Sequence, residues 1–327
     1  MSTIPASLKA LMSDLIDYAG LFPPAGLPMK DAVQNYARYL AGPDAWALAR
    51  FIVPVSRFPE FESAFAYLDT PEPWAISALI GPDPGRELNE IEQFNKRNQW
   101  RAEVDTLELR VSSADEVISL SRSIPSSITA YFEFVPELAS EILPAIASVG
   151  SRAKIRTGGL TADALPSSES VARFIMACAN YKVPFKATAG LHHPLRCVRP
   201  LTYAPDAPTG TMHGFLNIFL AAIAATRSLP KLPDPERNRL QMLKMILDCP
   251  NPELRFTDEM ASISAAGEPG QIPANSGSVG DPRHPFGVAG IETPISHIRQ
   301  VRQTFAISFG SCSFEEPLSD LRELKLL

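Results

Sequence analysis

Short apolar segments recur along the first two-thirds of the chain, and most are followed by a stretch whose apolar residues repeat at helical spacing. The apolar segments predict strands at Ile16–Phe22, Phe51–Val55, Ala75–Ile80, Thr106–Val111, Thr129–Val135, Ala153–Thr157 and Phe185–Ala189. Between them, Met29–Leu40, Glu87–Asn98, Ala114–Ser123 and Ser168–Asn180 read as helices. From the second strand onward the repeat is roughly 25 to 30 residues, the length of a βα unit, and such alternation builds a parallel sheet. A late segment, Phe305–Phe314, supplies an eighth strand, with a helical pattern at Pro317–Leu326 behind it. The strands carry polar residues at alternate positions, whereas the central strands of an open parallel sheet are apolar on both faces. No GxGxxG or Walker-type loop follows the first strand. The pattern therefore predicts a closed (β/α)8 TIM barrel.

The rhythm breaks between Cys197 and Thr304. A Pro-rich connection (Pro200 to Pro208) leads to two helical patterns, Gly214–Arg227 and Pro235–Leu247, and a short strand at Leu254–Phe256. A Gly/Ser/Pro stretch, Ala265–Gly290, then reads as a long loop outside the barrel. We read residues 197–304 as an elaborated crossover within a single barrel domain spanning 1–327.

Composition narrows the function classes. The chain has 327 residues, 45% of them apolar, and 30 Lys and Arg against 36 Asp and Glu give a net charge of −6. That balance argues against nucleic acid, which calls for a basic stripe to displace counterions. The longest apolar run, Gly214 to Thr226, is too short to cross a bilayer and is interrupted by Asn217. The start, MSTIPASLKALMSDL, lacks the basic head and apolar core of a secretion signal. The four cysteines, Cys178, Cys197, Cys249 and Cys312, are scattered without CxxC spacing. A cytoplasmic protein with no membrane or nucleic-acid partner is expected. A homodimer is the ordinary prior for such a barrel.

Alternation also predicts what lines the interior. In AKIRTGG, Ala153 and Ile155 suit the helix-facing side, so Lys154 and Arg156 point inward. The same count turns Glu108 and Arg110, Tyr131 and Glu133, and Lys186 and Thr188 inward. Buried charges cost several kcal/mol each unless paired, and a purely structural barrel would use Val, Ile and Leu there. Two carboxylates against four cations leave a cationic excess, which suits a small anionic metabolite carrying carboxylate or phosphate. Structural ion pairing accounts for part of this set and leaves that excess unexplained. Glycines at Thr157–Gly159, Thr188–Gly190 and Phe309–Phe314 turn the chain where strands six, seven and eight end, and their loops can present N–H groups to an anion. Gly190, Gly310 and Ser311 are the candidates there, alongside the alternative that the glycines only turn tight corners.

With these motifs in view, the chain resembles the deoxyribose-phosphate aldolase group of class I aldolases. Lys154 in AKIRTGG is similar in position to that family's Schiff-base lysine at strand six, and Lys186 in FKATAGL to its second lysine at strand seven. FGSCSF resembles the strand-eight phosphate loop, and LIDYAGLFPPAGLPMKDA resembles the first strand, with Asp17 at the matching acid. The family's acid/base carboxylate near strand four matches Asp105 by wording and Glu108 by parity. Arg156 and the pair His192–His193 have no counterpart. The resemblance implies a lyase that acts on a small anionic carbonyl compound through a lysine imine and needs no cofactor.

Burial and neighbouring cations both favour a neutral lysine, so Lys186 and Arg156 are expected to activate Lys154, although the same reasoning admits Lys186 as the nucleophile. Glu108 or Glu133 would move protons. A metal-dependent isomerase, lyase or hydrolase is the alternative, using His192, His193 or His213 with a carboxylate, although adjacent histidines in a strand face opposite ways. A non-catalytic barrel that holds a small anion is the third reading. Cys312 reads as a buried thiol more readily than as a nucleophile, and Tyr18 as a proton donor or a barrel-mouth residue. His284 and His297 read as surface residues, and Met242 and Met245 as helix packing.

Overall fold

A computed structural model of the chain describes residues 4–227, 233–265 and 289–327. The chain enters through α1 (Ala6–Met12), and β1 (Ile16–Tyr18), α2 (Met29–Leu40), β2 (Leu48–Pro54) and α3 (Phe58–Phe65) begin the alternation. It continues with β3 (Trp74–Leu79), α4 (Pro84–Arg97), β4 (Ala102–Arg110), α5 (Ala114–Ser121), β5 (Thr129–Glu133) and α6 (Ala139–Ser148). Next come β6 (Arg152–Arg156), α7 (Ser168–Tyr181) and β7 (Phe185–Thr188). A hairpin of β8 (Cys197–Pro200) and β9 (Thr209–Met212) precedes α8 (Phe215–Ala225) and α9 (Pro235–Asp248). An antiparallel sheet follows, made of β10 (Glu253–Phe256), β11 (Met260–Ala265) and β12 (Ala289–Pro294). The chain ends with α10 (Ile295–Thr304), β13 (Ala306–Ser311) and α11 (Glu315–Glu323).

Eight parallel strands close in the order β1-β13-β7-β6-β5-β4-β3-β2, so the molecule is a TIM barrel with β13 as its eighth strand. Local chemistry starts several helices. Asp83, Ser113 and Ser167 each accept a backbone N–H three residues on, at the amino ends of α4, α5 and α7. The apolar run that is too short for a membrane is α8, buried at every position and packed against α7, α9, α10 and β13. No helix among the described residues is long and apolar enough to cross a membrane.

Several boundaries differ from the periodicity. The first strand stops at Tyr18, and the chain turns at Gly20 on the way to Pro23 and Pro24. Helices α1, α3, α6 and α10 add to those expected, and α6 carries Pro144 inside it. The connection around Pro200–Pro208 contains the β8–β9 hairpin. The stretch expected as a loop from Ala265 to Gly290 begins and ends in strand, while residues 266–288, His284 among them, lie outside the described residues.

Between barrel and helices, Phe51 is fully buried among Tyr18, Tyr36, Phe61 and Trp74, with ring centroids 5.4 to 6.2 Å away. Phe51→Ala should cost about 3–5 kcal/mol. Chemical denaturation would show the midpoint falling at an unchanged slope.

Candidate active site

Alternation along β4 to β7 brings the interior charges into one chain of contacts. Lys186 Nζ donates to Asp17 Oδ2 and to Glu108 Oε1, each at 2.6 Å. Lys154 Nζ donates to Glu108 Oε2 at 2.6 Å and to Glu133 Oε2 at 2.7 Å. Glu133 Oε1 takes the last link, from Arg110 at 3.1 Å. Asp17, Glu108, Glu133, Lys154 and Lys186 are all buried. Lys154 and Lys186 are register partners on neighbouring strands, and Glu108 crosses the barrel to stand between their ammonium groups.

Two side chains and one backbone N–H that sequence reasoning missed complete the shell. Ser77 Oγ donates to Glu108 Oε1 at 2.7 Å, and Ser308 Oγ to Asp17 Oδ2 at 2.6 Å. The Arg50 N–H donates to Asp17 Oδ1 at 3.0 Å. The signal available for the first two was a serine within each of two largely apolar strands, AISAL and AISFGS. Among the described residues no buried side-chain nitrogen or oxygen lacks a hydrogen-bond partner.

A bulge sets Asp105 and Glu108 in different surroundings. The register of β4 on β3 runs Ile76 to Val104 and then Ser77 to Thr106, so Asp105 is an extra residue. Asp105 is half-buried and grips the Arg50 guanidinium in a fork of two 2.7 Å bonds. Glu108 is the carboxylate that meets the lysines.

These contacts correct the expected electrostatics. Asp17 brings the buried carboxylates to three against two buried ammoniums, so the depth of the barrel holds no cationic excess. The excess sits at the rim, where Arg110 and Arg156, counted as inward, are exposed because each closes its strand. Carboxylates, not cations, lie against Lys154. Burial acts to lower the Lys186 pKa, but Asp17 and Glu108 overcome it and raise it above the ordinary lysine value. Burial acts to raise Glu108, and Lys154 and Lys186 overcome it and hold it well below the usual carboxylate range. Glu133 is lowered for the same reason, against burial, by Lys154, Arg156 and Arg110.

Two cavities open at this end of the barrel, and Glu108, Lys154 and Arg156 line both. The smaller, about 280 Å³, lies against Pro23, Pro24, Thr188, Gly190, His192 and Gly310, and Leu201 and Met212 of the hairpin segment reach it. The larger, about 1190 Å³, opens past the ends of β4, β5 and β6, beside Ile80, Val111, Phe134, Val135 and Leu138. Lys186 and Asp17 lie deeper and line neither. A further depression of about 700 Å³ lies at the opposite end of the strands, beside Leu88 and Trp100, away from the ion chain. At the end of β7, Ala189 and Gly190 both take positive φ, 65° and 72°. The Thr157 hydroxyl donates to Ala189 O at 2.8 Å, and a Cβ built on Gly158 would stand 2.7 Å from Gly190 Cα, so the two loops pack backbone to backbone.

Other expected residues find different places. Ser311 is outside both linings and accepts the Ser313 N–H at 3.3 Å. Tyr18 faces the helices, stacked among aromatic rings, with burial pushing its hydroxyl up to about 12, so it is no proton donor to the interior. His192 Nδ1 meets Glu316 at 3.0 Å, while His193 Nδ1 turns to Asp320 at 2.6 Å. His213 Nε2 meets the Pro166 carbonyl at 2.8 Å. His297 Nε2 meets the Thr226 hydroxyl at 3.1 Å. Among the described residues no three His, Cys, Asp or Glu side chains are grouped to hold a metal ion. Cys312 Sγ lies 3.9 Å from both nitrogens of His192, and the Tyr203 hydroxyl donates to Glu316 at 3.1 Å. Burial acts to lower the His192 pKa, but Cys312 and Glu316 outweigh it and raise it from 6.5 to about 9. No protein-family model matches the chain, and no curated protein matches it.

Glu108→Gln should destabilise the fold by about 3–5 kcal/mol, because two buried ammoniums lose their shared counterion. Asp105→Asn, at a half-exposed pair, should cost about 1 kcal/mol or less, and denaturant titration compares them. For His192, NMR titration should find a midpoint near 9 that Glu316→Gln brings down toward 6.5. Its folded pKa lies above its unfolded one, so its stabilising contribution is complete below pH 6.5 and lost as pH rises through 9.

Proposed function

We propose that this barrel is a lyase of the Schiff-base aldolase type, in which Lys154 forms an imine with a small carbonyl compound bearing a carboxylate or phosphate. The observation that carries this reading is the place of Lys154. It is the lysine that lines both cavities, with a carboxylate on either side of Nζ and a second lysine behind one of them. The resemblance of AKIRTGG and FKATAGL to the aldolase strands points the same way.

The two carboxylates are unequally suited to moving a proton. Glu108 accepts from Lys154, Lys186 and Ser77 together, so its negative charge is held fast. Glu133 accepts from Lys154 and from the exposed Arg110, which leaves it the better base. In the proposed sequence the Lys154 ammonium gives a proton to Glu133 and the amine adds to the substrate carbonyl. The carbonyl oxygen leaves as water, taking one proton from the nitrogen and one from the Glu133 acid. The iminium then accepts the electron pair of the carbon–carbon bond beyond the α-carbon, while Glu133 takes the proton of the neighbouring hydroxyl. An aldehyde departs and an enamine remains. Protonation of the enamine carbon by Glu133 and addition of water to the imine release the second product.

Lys186 acts as a positioning residue, because its ammonium pins Glu108 and thereby the far side of Lys154. Arg156 has no hydrogen-bond or ion-pair partner among the described residues and stands at the meeting of the cavities, so it is the seat for the substrate's anion. His192 also lines the smaller cavity, its ring paired with Glu316 at 3.0 Å and its pKa raised by Cys312 and Glu316.

Borohydride reduction with pyruvate or acetaldehyde, followed by peptide mapping, should put the adduct on Lys154. Lys154→Met should abolish trapping, and Lys186→Met should slow it less completely. An adduct confined to Lys186 would transfer the nucleophile's role to that residue, and no adduct with a compound that is turned over would remove the imine reading.

A further inference from the structure

Strand β13 ends at Ser311, and Cys312, one residue on, lines the smaller cavity together with Gly310. Cys312 is buried, and that cavity is its opening to small solutes. His192, from the loop after β7, lines the same cavity, and both of its ring nitrogens lie 3.9 Å from the Cys312 sulfur. Glu316, in the first turn of α11, meets His192 Nδ1 at 3.0 Å. A carboxylate there holds the Nδ1 proton in place and leaves Nε2 to take the proton of the thiol. The Tyr203 hydroxyl, from the turn of the β8–β9 hairpin, donates to the same Glu316 Oε2 at 3.1 Å. Nucleophile, base and orienting acid thus stand in one row, which neither lysine enters. The upward pull of Cys312 and Glu316 on the His192 pKa, against burial, is that of an imidazole holding a proton between two such neighbours. Burial pushes the Cys178, Cys197 and Cys249 thiols up, which keeps them protonated and poorly nucleophilic.

We propose that Cys312 is a modification site, a thiol that reacts with small hydroperoxides entering the smaller cavity, with His192 as its base and Glu316 as a positioning residue. The thiol proton passes to His192 Nε2, and the sulfur attacks the terminal peroxide oxygen, which keeps its hydrogen. The O–O bond breaks with its electron pair on the departing oxygen, which takes the proton from His192 and leaves as water or an alcohol. The sulfur is oxidised to a sulfenic acid and the peroxide is reduced. Two equivalents of a small thiol return it, the first displacing water to form a mixed disulfide and the second releasing Cys312. A hydroperoxide suits a space of about 280 Å³ because it is small and enters without desolvating a charge. No step involves Lys154, so the assignment stands apart from the imine reading.

The purified chain is treated with hydrogen peroxide in the presence of dimedone, and its four cysteine peptides are followed by mass spectrometry. Cys312 should label at least about tenfold faster than Cys197, although Cys197 is the more exposed of the two. Dithiothreitol added before the dimedone should erase the label. His192→Gln should slow Cys312 by about tenfold or more and Glu316→Gln by less, with Cys197 unchanged in both. Cys178, fully buried in α7, labels only when the fold opens, so it separates a loosened variant from one that has lost its base. Where His192→Gln opens the fold, the ranking in the unmodified chain and Glu316→Gln decide. No label on Cys312, Cys197 labelling first, or all four labelling alike would overturn the assignment. So would variants that keep Cys178 silent and label Cys312 at the original rate.

Discussion

Two ammonium groups on neighbouring strands, both buried, would repel each other and would each cost several kcal/mol to desolvate. Glu108 makes the arrangement stable by reaching across the barrel to both of them, one oxygen to each, with Ser77 sharing the oxygen that faces Lys186. Every other feature of the interior is arranged around that carboxylate. Asp17 closes the chain on the Lys186 side and Glu133 on the Lys154 side, and Arg110 carries the last charge out to solvent. The chain alternates in sign, so each group is satisfied by its neighbours and none depends on a distant charge. It also divides the two lysines by access: one beneath the carboxylate, one beside the cavities.

Much of this was legible in the sequence, because a strand's period of two is rigid wherever the ladder is regular. Along β5, β6 and β7 the count turns Glu133, Lys154, Lys186 and Thr188 inward, and the structure has them there. Parity says which side of a strand a residue occupies but not how far along the barrel it sits. Arg110 and Arg156 close their strands, so they became rim residues, and the sum of interior charge came out wrong. Bulges were the second obstacle. The pairings Ile16 to Leu48 then Tyr18 to Phe51, Ile76 to Val104 then Ser77 to Thr106, and Ala306 to Phe185 then Phe309 to Ala187 each gain one residue. No local composition announces them. The irregular stretches of β2 and β13 supply the Arg50 N–H and Ser308 to Asp17, and the extra residue of β4 supplies Asp105 to Arg50. Three departures from regular pairing thus serve one end of the ion chain.

The β8–β9 hairpin was hidden for a different reason, whereas β10 falls on the short strand expected at Leu254–Phe256. The residues of β8 are exposed or half-buried, so no buried face imposes alternation there, whereas β11 and β12 do alternate, burying Ala261, Ile263, Ile291 and Thr293. Glu316 was equally invisible. An acid in the first turn of a helix is ordinary, and only the packing of α11 at the barrel mouth brings it to His192 and Tyr203. Tertiary placement, not residue type, gives that carboxylate its partner.

The alternating ion chain also sets how the interior responds to temperature. The hydration of charged groups becomes less favourable on warming, so the penalty for keeping these five groups dry shrinks as temperature rises, while apolar burial gains little more per unit area. The aromatic layer around Phe51 and the charged lumen therefore answer heating differently within one barrel wall. Cooling increases the desolvation cost inside while weakening the hydrophobic grip outside. A lumen built from Val, Ile and Leu would feel only the second of these effects. On the cold side of the stability curve both effects act together, so the buried charges of the lumen are kept at the greatest thermodynamic cost there.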